Sequence, residues 1–536
     1  MGNGNAYFLD AISRTPLRLT PVRHESGTVA AADAFYRATR SVAVATTTFG
    51  PGFTNTITAL AEAVMANSPV LLVTGGAPAS GRRGVDVDQT AIATAVGAES
   101  FVLDTQTPRE TTLRALHHSL THLTPVVLTI PYDIAAAEAD AETHCDLAGM
   151  PGPRTASPEV LDEAAKALMA AQRPLVLAGR GAVQAGPGLI TLGERLGALM
   201  ATTAPARGLF AGEEFDIGVA GGFSSEKTAA LISESDVVLV VGARLNQFTT
   251  AHGKFYGGAR HVIQVDIADQ ATHPVVDIFV RSDSADAVRG ILSRIPAGQE
   301  PGETWRSAAP HARSGLHFQR DAGQPLAADG RLDPRSLAIQ LNAALPQERI
   351  VVSDGGHFSG WSSLYFDLPS TDRLLLVGTN YMTIGLGFAA AVGACVARPE
   401  SMTVLAIGDG SGLMALADIE SLARAAQRAV VIVFNDAAYS AEVIQYGSQG
   451  QDLFAMTIPE VDFATLANGA GARGVVVRTL DDLAVLTDWV ESGQKGTLVL
   501  DCRISNSVIA PHYQEIMKLL HVKSPSHITG NRDQLK

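Results

Sequence analysis

The sequence predicts an α/β protein with three doubly wound domains, each built on a parallel sheet. Short apolar runs rich in valine, leucine and isoleucine alternate with stretches of helical periodicity along the chain, which is typical of parallel sheets flanked by helices. Several of these runs end in glycine-rich turns that lead into a helix, as strands do at the ligand-binding edge of such sheets. The length of 536 residues and the hydrophobic fraction of 46% allow about three domains of common size.

Composition and charge narrow the possible partners. The net charge of −14 disfavours nucleic acid, because phosphate contacts need a basic face. No apolar run approaches the roughly 18 residues of a membrane-spanning helix, and no signal peptide is evident, so we expect no membrane association. The cysteines Cys145, Cys395 and Cys502 lack metal or disulfide spacing and fit a reducing cytoplasm. We therefore expect a cytoplasmic protein whose partners are small molecules.

One strand–helix–strand unit in the last third of the chain carries the clearest chemistry. Thr403–Ile407 is predicted to be a buried strand that ends in a glycine-rich turn, and Val430–Phe434 to be the next strand. Helical periodicity follows the turn over Leu413–Ala426. Asp409 and Asp436 then stand at the ends of neighbouring parallel strands, where such folds bind ligands.

Two carboxylates beside a glycine-rich turn indicate a diphosphate bound through a cation. The free N–H groups at a helix N-terminus suit phosphate, but Asp409 and Asp436 would repel it unless a hard cation lay between them. Mg²⁺ takes one or two carboxylates together with substrate phosphate oxygens. A dinucleotide-binding turn is the alternative, although Asp409 inside the turn argues against it. A P-loop is excluded because no Gly-Lys-Ser/Thr follows.

The same residues resemble the cofactor motif of the thiamine-diphosphate enzymes. Gly408-Asp409-Gly410 is followed, after the 24 residues 411–434, by Asn435-Asp436, where the family carries Gly-Asp-Gly and then Asn-Asn. The resemblance implies thiamine diphosphate and Mg²⁺ as cofactors. It implies a metal site of Asp409, Asp436 and the backbone carbonyl of Ala438, and a cofactor site that includes Gly408, Gly410, Ser411, Asn435 and Ala438. Asp436 in place of Asn adds a negative charge, which could tighten Mg²⁺ binding.

Glu25 is the residue to which the resemblance assigns the first catalytic step. The family has a His-Glu pair at the place of His24-Glu25, opening a helix like the one predicted over Gly27–Thr39. Its Glu hydrogen-bonds the aminopyrimidine ring and promotes the tautomer that takes the thiazolium proton, which is general acid–base catalysis on the cofactor. Such a carboxyl needs a buried, apolar setting to keep its proton available. Without the resemblance, Glu25 would be a solvated surface residue.

Two further stretches of the first domain match the family. The sequence GPGFTN, from Gly50 to Asn55, resembles a turn of the acetohydroxyacid synthases and makes those two residues candidates for cofactor binding. A loop similar to one in the synthases gives Gln89 a catalytic place near the thiazolium. Asp88 stands where the synthases carry a Phe, and Asn5 where decarboxylases often carry an acid. Each departure counts against an ordinary member of the branch concerned.

The third domain supplies the remaining candidates. Residues 382–387 resemble the loop that bends the cofactor into a V shape, with Ile384 as the apolar wedge under the rings and the Met382 carbonyl holding the 4′-amino group. His357 falls where the synthases carry a His near the diphosphate, and Glu442 where decarboxylases carry a catalytic Glu. From the residues alone, His357 is as readily a structural histidine, Ile384 a core residue and Glu442 an exposed helix residue.

The resemblance implies a 2-oxo acid decarboxylating carboligase similar to acetolactate synthase. Loss of CO₂ from the 2-oxo acid leaves an enamine, which adds to a carbonyl acceptor and gives a hydroxyketone or acetohydroxy acid. The alternatives are a non-oxidative 2-oxo acid decarboxylase of the pyruvate or indolepyruvate type, a dinucleotide-dependent oxidoreductase and a non-catalytic scaffold. FAD is a possible but unlikely further cofactor. Because the family's cofactor lies between two subunits, we expect a homodimer or homotetramer.

Composition and resemblance together divide the chain into three domains and a tail. They are a pyrimidine-binding domain over 1–145 that is short at its N-terminus compared with the family, a central Rossmann-like domain over 158–300, a domain for the diphosphate and Mg²⁺ over 333–510, and a tail over 511–536. Stretches with little periodicity over 140–157 and 298–332 predict linkers. The tail is predicted to fold back as a lid, because apolar residues recur in it at helical spacing.

Overall fold

The computed structural model describes residues 1–139, 152, 154–297, 305–308 and 320–519. Three parallel sheets accompanied by helices make up this part of the chain, which confirms the predicted α/β class. Most of both predicted linkers, the end of the predicted tail and Cys145 lie outside the described residues, and the domain boundaries stay predictions. Within the described ranges, no helix is both long and apolar enough to cross a lipid bilayer.

The first sheet has four parallel strands, and six helices accompany it. The strands are β1 (Ala43–Thr47), β2 (Val70–Gly76), β3 (Glu99–Val102) and β4 (Val126–Pro131). Their order across the sheet is β1-β2-β4-β3. The helices are α1 (Ala6–Ser13), α2 (Glu25–Thr39), α3 (Pro51–Thr54), α4 (Ile57–Met65), α5 (Gln89–Ala95) and α6 (Pro108–His122). β2 is buried along its whole length, as expected of a continuous apolar run inside a parallel sheet.

The central sheet has six parallel strands in a doubly wound order. The strands are β5 (Pro174–Ala178), β6 (Leu199–Thr202), β7 (Asp216–Val219), β8 (Val237–Val241), β9 (His261–Asp266) and β10 (Ile278–Arg281). They follow one another across the sheet as β10-β9-β8-β5-β6-β7, which is the strand order of Rossmann-like folds. The helices are α7 (Pro158–Met169), α8 (Gly186–Leu196), α9 (Glu226–Glu234), α10 (Ser284–Leu292) and α11 (Trp305–Ala308).

The third sheet also has six parallel strands. They are β11 (Arg349–Ser353), β12 (Leu374–Leu376), β13 (Met402–Gly408), β14 (Arg428–Asn435), β15 (Arg473–Val477) and β16 (Gly496–Arg503). The helices are α12 (Pro334–Ala344), α13 (Ser359–Tyr365), α14 (Gly387–Ala397), α15 (Asp409–Met414), α16 (Ile419–Ala425), α17 (Ser440–Glu442), α18 (Phe463–Gly469), α19 (Ala484–Glu491) and α20 (Pro511–Leu519). The order β12-β11-β13-β14-β16-β15 reverses direction between β11 and β13, and ligands bind at such switch points.

The predicted helix over Leu413–Ala426 is wrong in its continuity. The structure has the short α15, a 3₁₀ turn at Leu416–Asp418 and then α16. The turn coincides with a tertiary contact. In it the Asp418 carboxylate accepts the backbone N–H of Arg23 at 2.6 Å, and it also accepts the hydroxyl of the nearby Ser421 at 2.8 Å. Local periodicity carries no information about a contact with a residue so distant in the chain.

The first domain packs on the third through α2 and α14. A Cβ added at Gly393 would lie 2.0 Å from the carbonyl oxygen of Ala31, so glycine is required for this close approach. Ala34 and Ala38 of α2 belong to the same buried cluster as Phe388 of α14. Close packing on small side chains fixes how the first domain sits against the third.

Candidate functional site

Asp409 and Asp436 lie side by side at the edge of the third sheet, next to its switch point. Gly408 pairs with Phe434 in the parallel ladder of β13 and β14, so the two aspartates follow their strands at the same edge. Both are buried, with only 2% of Asp409 and 7% of Asp436 exposed. The structure therefore brings the two predicted metal ligands together, as the order of strands required.

The burial and the like charges of this pair favour a bound cation. Burial raises the pKa of both carboxyls, and the neighbouring charge of Asp409 raises the pKa of Asp436 further. Ser440 donates a hydrogen bond to one oxygen of Asp436. Within the described chain, the buried Oδ2 of Asp409 finds no hydrogen-bond partner. A buried, unpartnered carboxylate oxygen facing a like charge is costly, and a hard divalent cation would satisfy it.

The turn after β14 has a strained backbone and lies beside Asp409. Ala437 has φ +60, in the left-handed region that residues other than glycine enter rarely. The backbone N–H of Gly410 donates to Oδ1 of Asp409 at 2.9 Å, and the backbone of Ala437 and Ala438 opposes the rise that burial causes in the pKa of Asp409. The described residues hold no cluster of three or more His, Cys, Asp or Glu side chains suited to a metal, and the metal site of Asp409, Asp436 and the Ala438 carbonyl stays a prediction.

The glycines of the 408–412 turn are required by aromatic side chains behind them. A Cβ at Gly410 would lie 2.5 Å from the ring of Tyr439, and one at Gly408 would lie 2.8 Å from the ring of Phe358. Ser411, in the same turn, donates its hydroxyl to Asp354 at 2.5 Å. The turn is therefore packed closely against aromatic rings, which leave no room for side chains at Gly408 and Gly410.

The 378–387 loop reaches the glycine turn. The N–H of Gly385 donates to the hydroxyl of Ser411 at 3.1 Å, which places the neighbouring Ile384, half-buried, beside that turn. Met382 has φ +59 and is 69% exposed. The structure thus brings the loop that carries the predicted wedge and the predicted carbonyl next to the glycine turn, 26 residues further along the chain.

Glu25 and Asn55, two of the first-domain candidates, contact each other. The Asn55 amide donates to Oε2 of Glu25 at 3.0 Å. Two residues further along α2, a Cβ on Gly27 would lie 2.6 Å from Asp418 and 3.0 Å from Ala389, so this end of α2 abuts the start of α14. Glu25 itself is only half-buried, and the buried setting that the resemblance implies is not supplied by the described part of this single chain.

Gln89 and Gly50 form a second pair in the first domain. The Gly50 N–H donates to Oε1 of Gln89 at 2.9 Å, and Nε2 of Gln89 donates to the Gly75 carbonyl at 2.9 Å. The buried amide thereby ties the Gly50 turn to the end of β2. Asp88 accepts the N–H of Ala91 at 3.0 Å and caps α5. The catalytic role predicted for Gln89 stays a prediction.

The hydrogen bonds of the His357 and Asn435 side chains go to residues other than Asp409 and Asp436. Nε2 of His357 accepts the N–H of Ala510 at 2.8 Å, and the Asn435 amide donates to Asp501 at 2.8 Å and to the Val461 carbonyl at 3.0 Å. These bonds match the structural alternative that the sequence left open for His357. A cofactor role for either residue stays a prediction.

The described part of the tail packs over the segment that carries Glu442. The Tyr513 hydroxyl of α20 donates to the Ala441 carbonyl at 3.3 Å, and the ring of His512 stacks on Phe223 of the central domain at 4.7 Å. Glu442 is exposed and leads into a π-helix at Val443–Gly447, a feature often found at functional sites. The described start of the tail therefore contacts this segment, and its role as a lid stays a prediction.

We expect the docking of this tail to weaken in acid. Burial lowers the pKa of His357 to about 4, and burial together with His357 lowers the pKa of His512 to about 3, whereas a histidine in the unfolded chain titrates near pH 6.5. The stabilisation is therefore complete above about pH 6.5 and is lost as the pH falls, by about 2 kcal/mol per histidine down to about pH 5. Thermal unfolding measured between those pH values tests this expectation.

A variant that keeps the ring stacking and removes one of the two titrating groups tests the assignment. His512→Phe preserves the stack on Phe223 and should remove about half of the pH dependence of the melting temperature, because His357 still titrates. The exposed His252 is the matched control, and His252→Phe should leave the pH dependence as it is. An unchanged slope in His512→Phe would contradict the assignment.

Asp354 and Glu62 are buried carboxylates of this region that the sequence did not single out. Asp354 follows β11 at the switch point and is completely buried; burial raises the pKa of its carboxyl, and hydrogen bonds from Ser411 and from backbone N–H groups oppose that shift. Glu62 lies on α4 with 1% of its surface exposed. The sequence offered one signal for each: Asp354 is a charged residue at the end of an apolar strand, and Glu62 is a lone charge in an apolar helix.

Three family models match the chain in order. They are the N-terminal TPP binding domain, the central domain and the C-terminal TPP binding domain of thiamine pyrophosphate enzymes, over residues 1–96, 161–291 and 354–502. The third of these matches contains the Asp409–Asp436 pair and the 378–387 loop, and the first contains Glu25 and Gln89.

Known proteins of similar length resemble the chain over most of its extent. A sulfoacetaldehyde acetyltransferase of Rhodobacter capsulatus is 29% identical, over 95% of this chain and 91% of the relative. A probable acetolactate synthase large subunit of Methanocaldococcus jannaschii is 24% identical, over 96% and 94%. The structure of a Rhodococcus jostii thiamine diphosphate-dependent 4-hydroxybenzoylformate decarboxylase superposes with a TM-score of 0.75 at 21% identity, over 94% of this chain and 95% of that one, a likeness of fold.

Proposed function

The chain belongs to the thiamine-pyrophosphate-dependent enzymes, and from this premise we propose that it is a 2-oxo acid decarboxylating carboligase similar to acetolactate synthase. The observation that carries the proposal is the buried Asp409–Asp436 pair with its unpartnered oxygen, at the glycine turn that the 378–387 loop contacts. The similarity to acetolactate synthase large subunits over most of the chain supports the choice of reaction.

The residues at the switch point fit a metal-bound diphosphate. Asp409, Asp436 and the Ala438 carbonyl would hold Mg²⁺, and its charge would relieve the repulsion between the two carboxylates. Gly408, Gly410 and Ser411 would face the diphosphate, while Met382 and Ile384 would hold the rings. Thiamine diphosphate, when bound, supplies the electron sink that permits a 2-oxo acid to lose CO₂.

Glu25 is the proposed proton-transfer group of the chain. Its Oε2 accepts the Asn55 amide at 3.0 Å, which orients the carboxylate and leaves Oε1 to exchange a proton with a ring nitrogen. General acid–base groups act at such hydrogen-bond distances. Its half-exposed position fits a site that is completed by the cofactor and by a second copy of the chain, so we propose a homodimer or homotetramer.

The loop that precedes Gln89 favours an anionic donor. Arg83 lies over the rings of Phe49 and Tyr132, each at 4.8 Å, and pairs with Asp86 at 2.9 Å, beside the Gly50 turn. Arg82 pairs with Asp88 at the surface, and exposed pairs of this kind are weak, so a substrate anion can displace Asp88. Such an anion is present in every 2-oxo acid.

A second candidate donor follows from the relatives named sulfoacetaldehyde acetyltransferase, at 29% and 28% identity. Sulfoacetaldehyde is also an anion, and forming an acetyl group from it releases sulfite in place of CO₂. The two candidates differ in the bond that breaks at the donor. FAD stays an unlikely addition, because Gly179 and Gly242 of the central domain are accounted for by their close backbone contact.

Product analysis tests the proposal and separates the candidates. The purified protein is incubated with Mg²⁺ and thiamine diphosphate, and with pyruvate in the presence and absence of an aldehyde acceptor, or with sulfoacetaldehyde in the presence and absence of inorganic phosphate. We expect CO₂ with acetolactate, acetoin or another hydroxyketone from pyruvate. Acetaldehyde alone would indicate a decarboxylase, sulfite release would indicate acetyl transfer, and no turnover despite bound cofactor would overturn the choice of substrate class.

A further inference from the structure

Two buried carboxylates hold the 378–387 loop at its two ends. On one side, Glu62 of α4 in the first domain accepts the backbone N–H of Asn380 at 3.0 Å, its side-chain amide at 2.8 Å and the N–H of Tyr381 at 2.7 Å. These bonds end one residue before Met382. Glu62, a lone charge in an apolar helix, is thus the acceptor for three donors of a loop in another domain.

On the other side, Asp354 accepts the N–H groups of Gly385 at 3.1 Å and Gly387 at 2.9 Å, and the Ser411 hydroxyl at 2.5 Å. These bonds begin one residue after Ile384. One carboxylate therefore joins the end of β11, the start of α14 and the glycine turn that opens α15. Charge-assisted hydrogen bonds of this kind are stronger than neutral ones.

Between the two carboxylates the loop is held in a conformation that it would not keep alone. Met382 has φ +59, and left-handed backbone at a residue other than glycine persists only where the surroundings impose it. The N–H of Thr383 donates to the Gly378 carbonyl at 2.9 Å and closes the loop. The exposed Met382 and the half-buried Ile384 are presented by this closed segment.

Glu62 is held in place by an ion pair with Arg37. The guanidinium of Arg37 contacts Glu62 at 2.8 Å and Asp33 at 2.6 Å, and it donates to the Leu376 carbonyl at 2.6 Å. Arg37 and Glu62 are each at most 5% exposed. A compensated, hydrogen-bonded network of this kind is rigid, and removing one member leaves the others unpaired.

We propose that Glu62 and Asp354 are positioning residues that hold the Met382–Ile384 segment in the form that receives the two rings of the cofactor. The inference rests on the proposed function, because it assigns the segment to the cofactor. The inference also makes the site depend on how the domains pack. Because Glu62 belongs to the first domain, the position of α4 against the 378–387 loop sets the shape of that third-domain loop.

The test uses amide variants in the full-length protein. Glu62→Gln and Asp354→Asn keep the shape of each side chain, but half of each amide donates and cannot accept the loop N–H groups. Thiamine diphosphate is titrated calorimetrically at saturating Mg²⁺, kcat is measured at saturating cofactor, and the circular dichroism of the bound cofactor is recorded. We expect each variant to raise the Kd for thiamine diphosphate at least tenfold, to lower kcat at least tenfold and to alter the dichroism.

The matched control is a buried carboxylate outside this region. Asp236 of the central domain accepts the N–H groups of Gln172 at 3.0 Å and Arg173 at 2.7 Å, so Asp236→Asn removes comparable bonds. It should lower the melting temperature and leave Kd, dichroism and kcat at saturating cofactor as in the wild type. Glu62→Gln and Asp354→Asn variants that behave like this control would overturn the inference.

A milder change keeps the test informative if an amide variant fails to fold. Asn380→Ala removes only the side-chain donor to Glu62 and leaves the backbone bonds, and we expect a two- to fivefold rise in Kd for thiamine diphosphate; an unchanged Kd would count against the inference. Wild-type protein that binds no thiamine diphosphate would refute the proposed function itself. Wild-type binding with variants unchanged would refute the positioning role alone.

Discussion

Replacing Glu25 by Gln is expected to lower kcat by about two orders of magnitude or more, within the range that general acid–base groups contribute. The amide has the size of the carboxylate and its oxygen still accepts the Asn55 side chain, so the local geometry at 3.0 Å is preserved. What is lost is the capacity to take up and return a proton. The change is therefore expected in kcat, with the Kd for thiamine diphosphate rising only a few-fold.

A glutamate in the same structural position elsewhere provides the control. Glu110 lies in the first turn of α6, which has 15 residues like α2, and it is exposed. Glu110→Gln should leave kcat and cofactor affinity at wild-type values. Steady-state rates of CO₂ release and calorimetric titration of thiamine diphosphate measure both variants. A Glu25→Gln enzyme with a rate within threefold of the wild type would exclude Glu25 as the proton-transfer group.

The strands on either side of the glycine turn could be predicted closely, because buried parallel strands are continuous apolar runs between turns. The predicted strands Thr403–Ile407 and Val430–Phe434 lie within β13 and β14, which extend them by one or two residues at each end. The break between α15 and α16 could not be predicted, because it coincides with the contact between Asp418 and the backbone of Arg23. Periodicity reports which face of a helix is buried, and it is silent about where another domain interrupts that helix.

In the candidate site, too, some residues could be predicted from the sequence and others could not. Asp409 and Asp436 could be found because each follows an apolar strand, and strand ends in parallel sheets converge on one edge. Asp354 also follows a strand, but its meaning depends on the three donors that reach it from other elements. Glu62 offers only a lone charge in an apolar helix. Its role comes entirely from the loop of another domain that packs over it, which no local pattern records.

Asp409→Asn is expected to lower the Mg²⁺-dependent affinity for thiamine diphosphate by about two orders of magnitude, and Asp436→Asn by about tenfold. The Asp409 carboxylate carries the unpartnered buried oxygen, and an amide at this site offers one neutral oxygen in place of a charged pair. At position 436 the resemblance predicts that an Asn side chain is accommodated as a ligand. Calorimetric titration at fixed Mg²⁺ concentrations measures both affinities.

For the metal-free protein we expect the opposite effect, which is a gain in stability. In a chelating buffer the wild type holds two buried carboxylates. Burial raises the pKa of both, and the charge of Asp409 raises the pKa of Asp436 further, so an uncharged side chain at position 436 removes an unfavourable interaction. Asp436→Asn should therefore melt a few degrees higher than the wild type without metal and gain less on adding Mg²⁺. Weaker binding together with higher metal-free stability is the signature of a cation site, because a purely structural pair would lose stability in both conditions. A wild type whose melting temperature and cofactor affinity ignore Mg²⁺ would rule out the site.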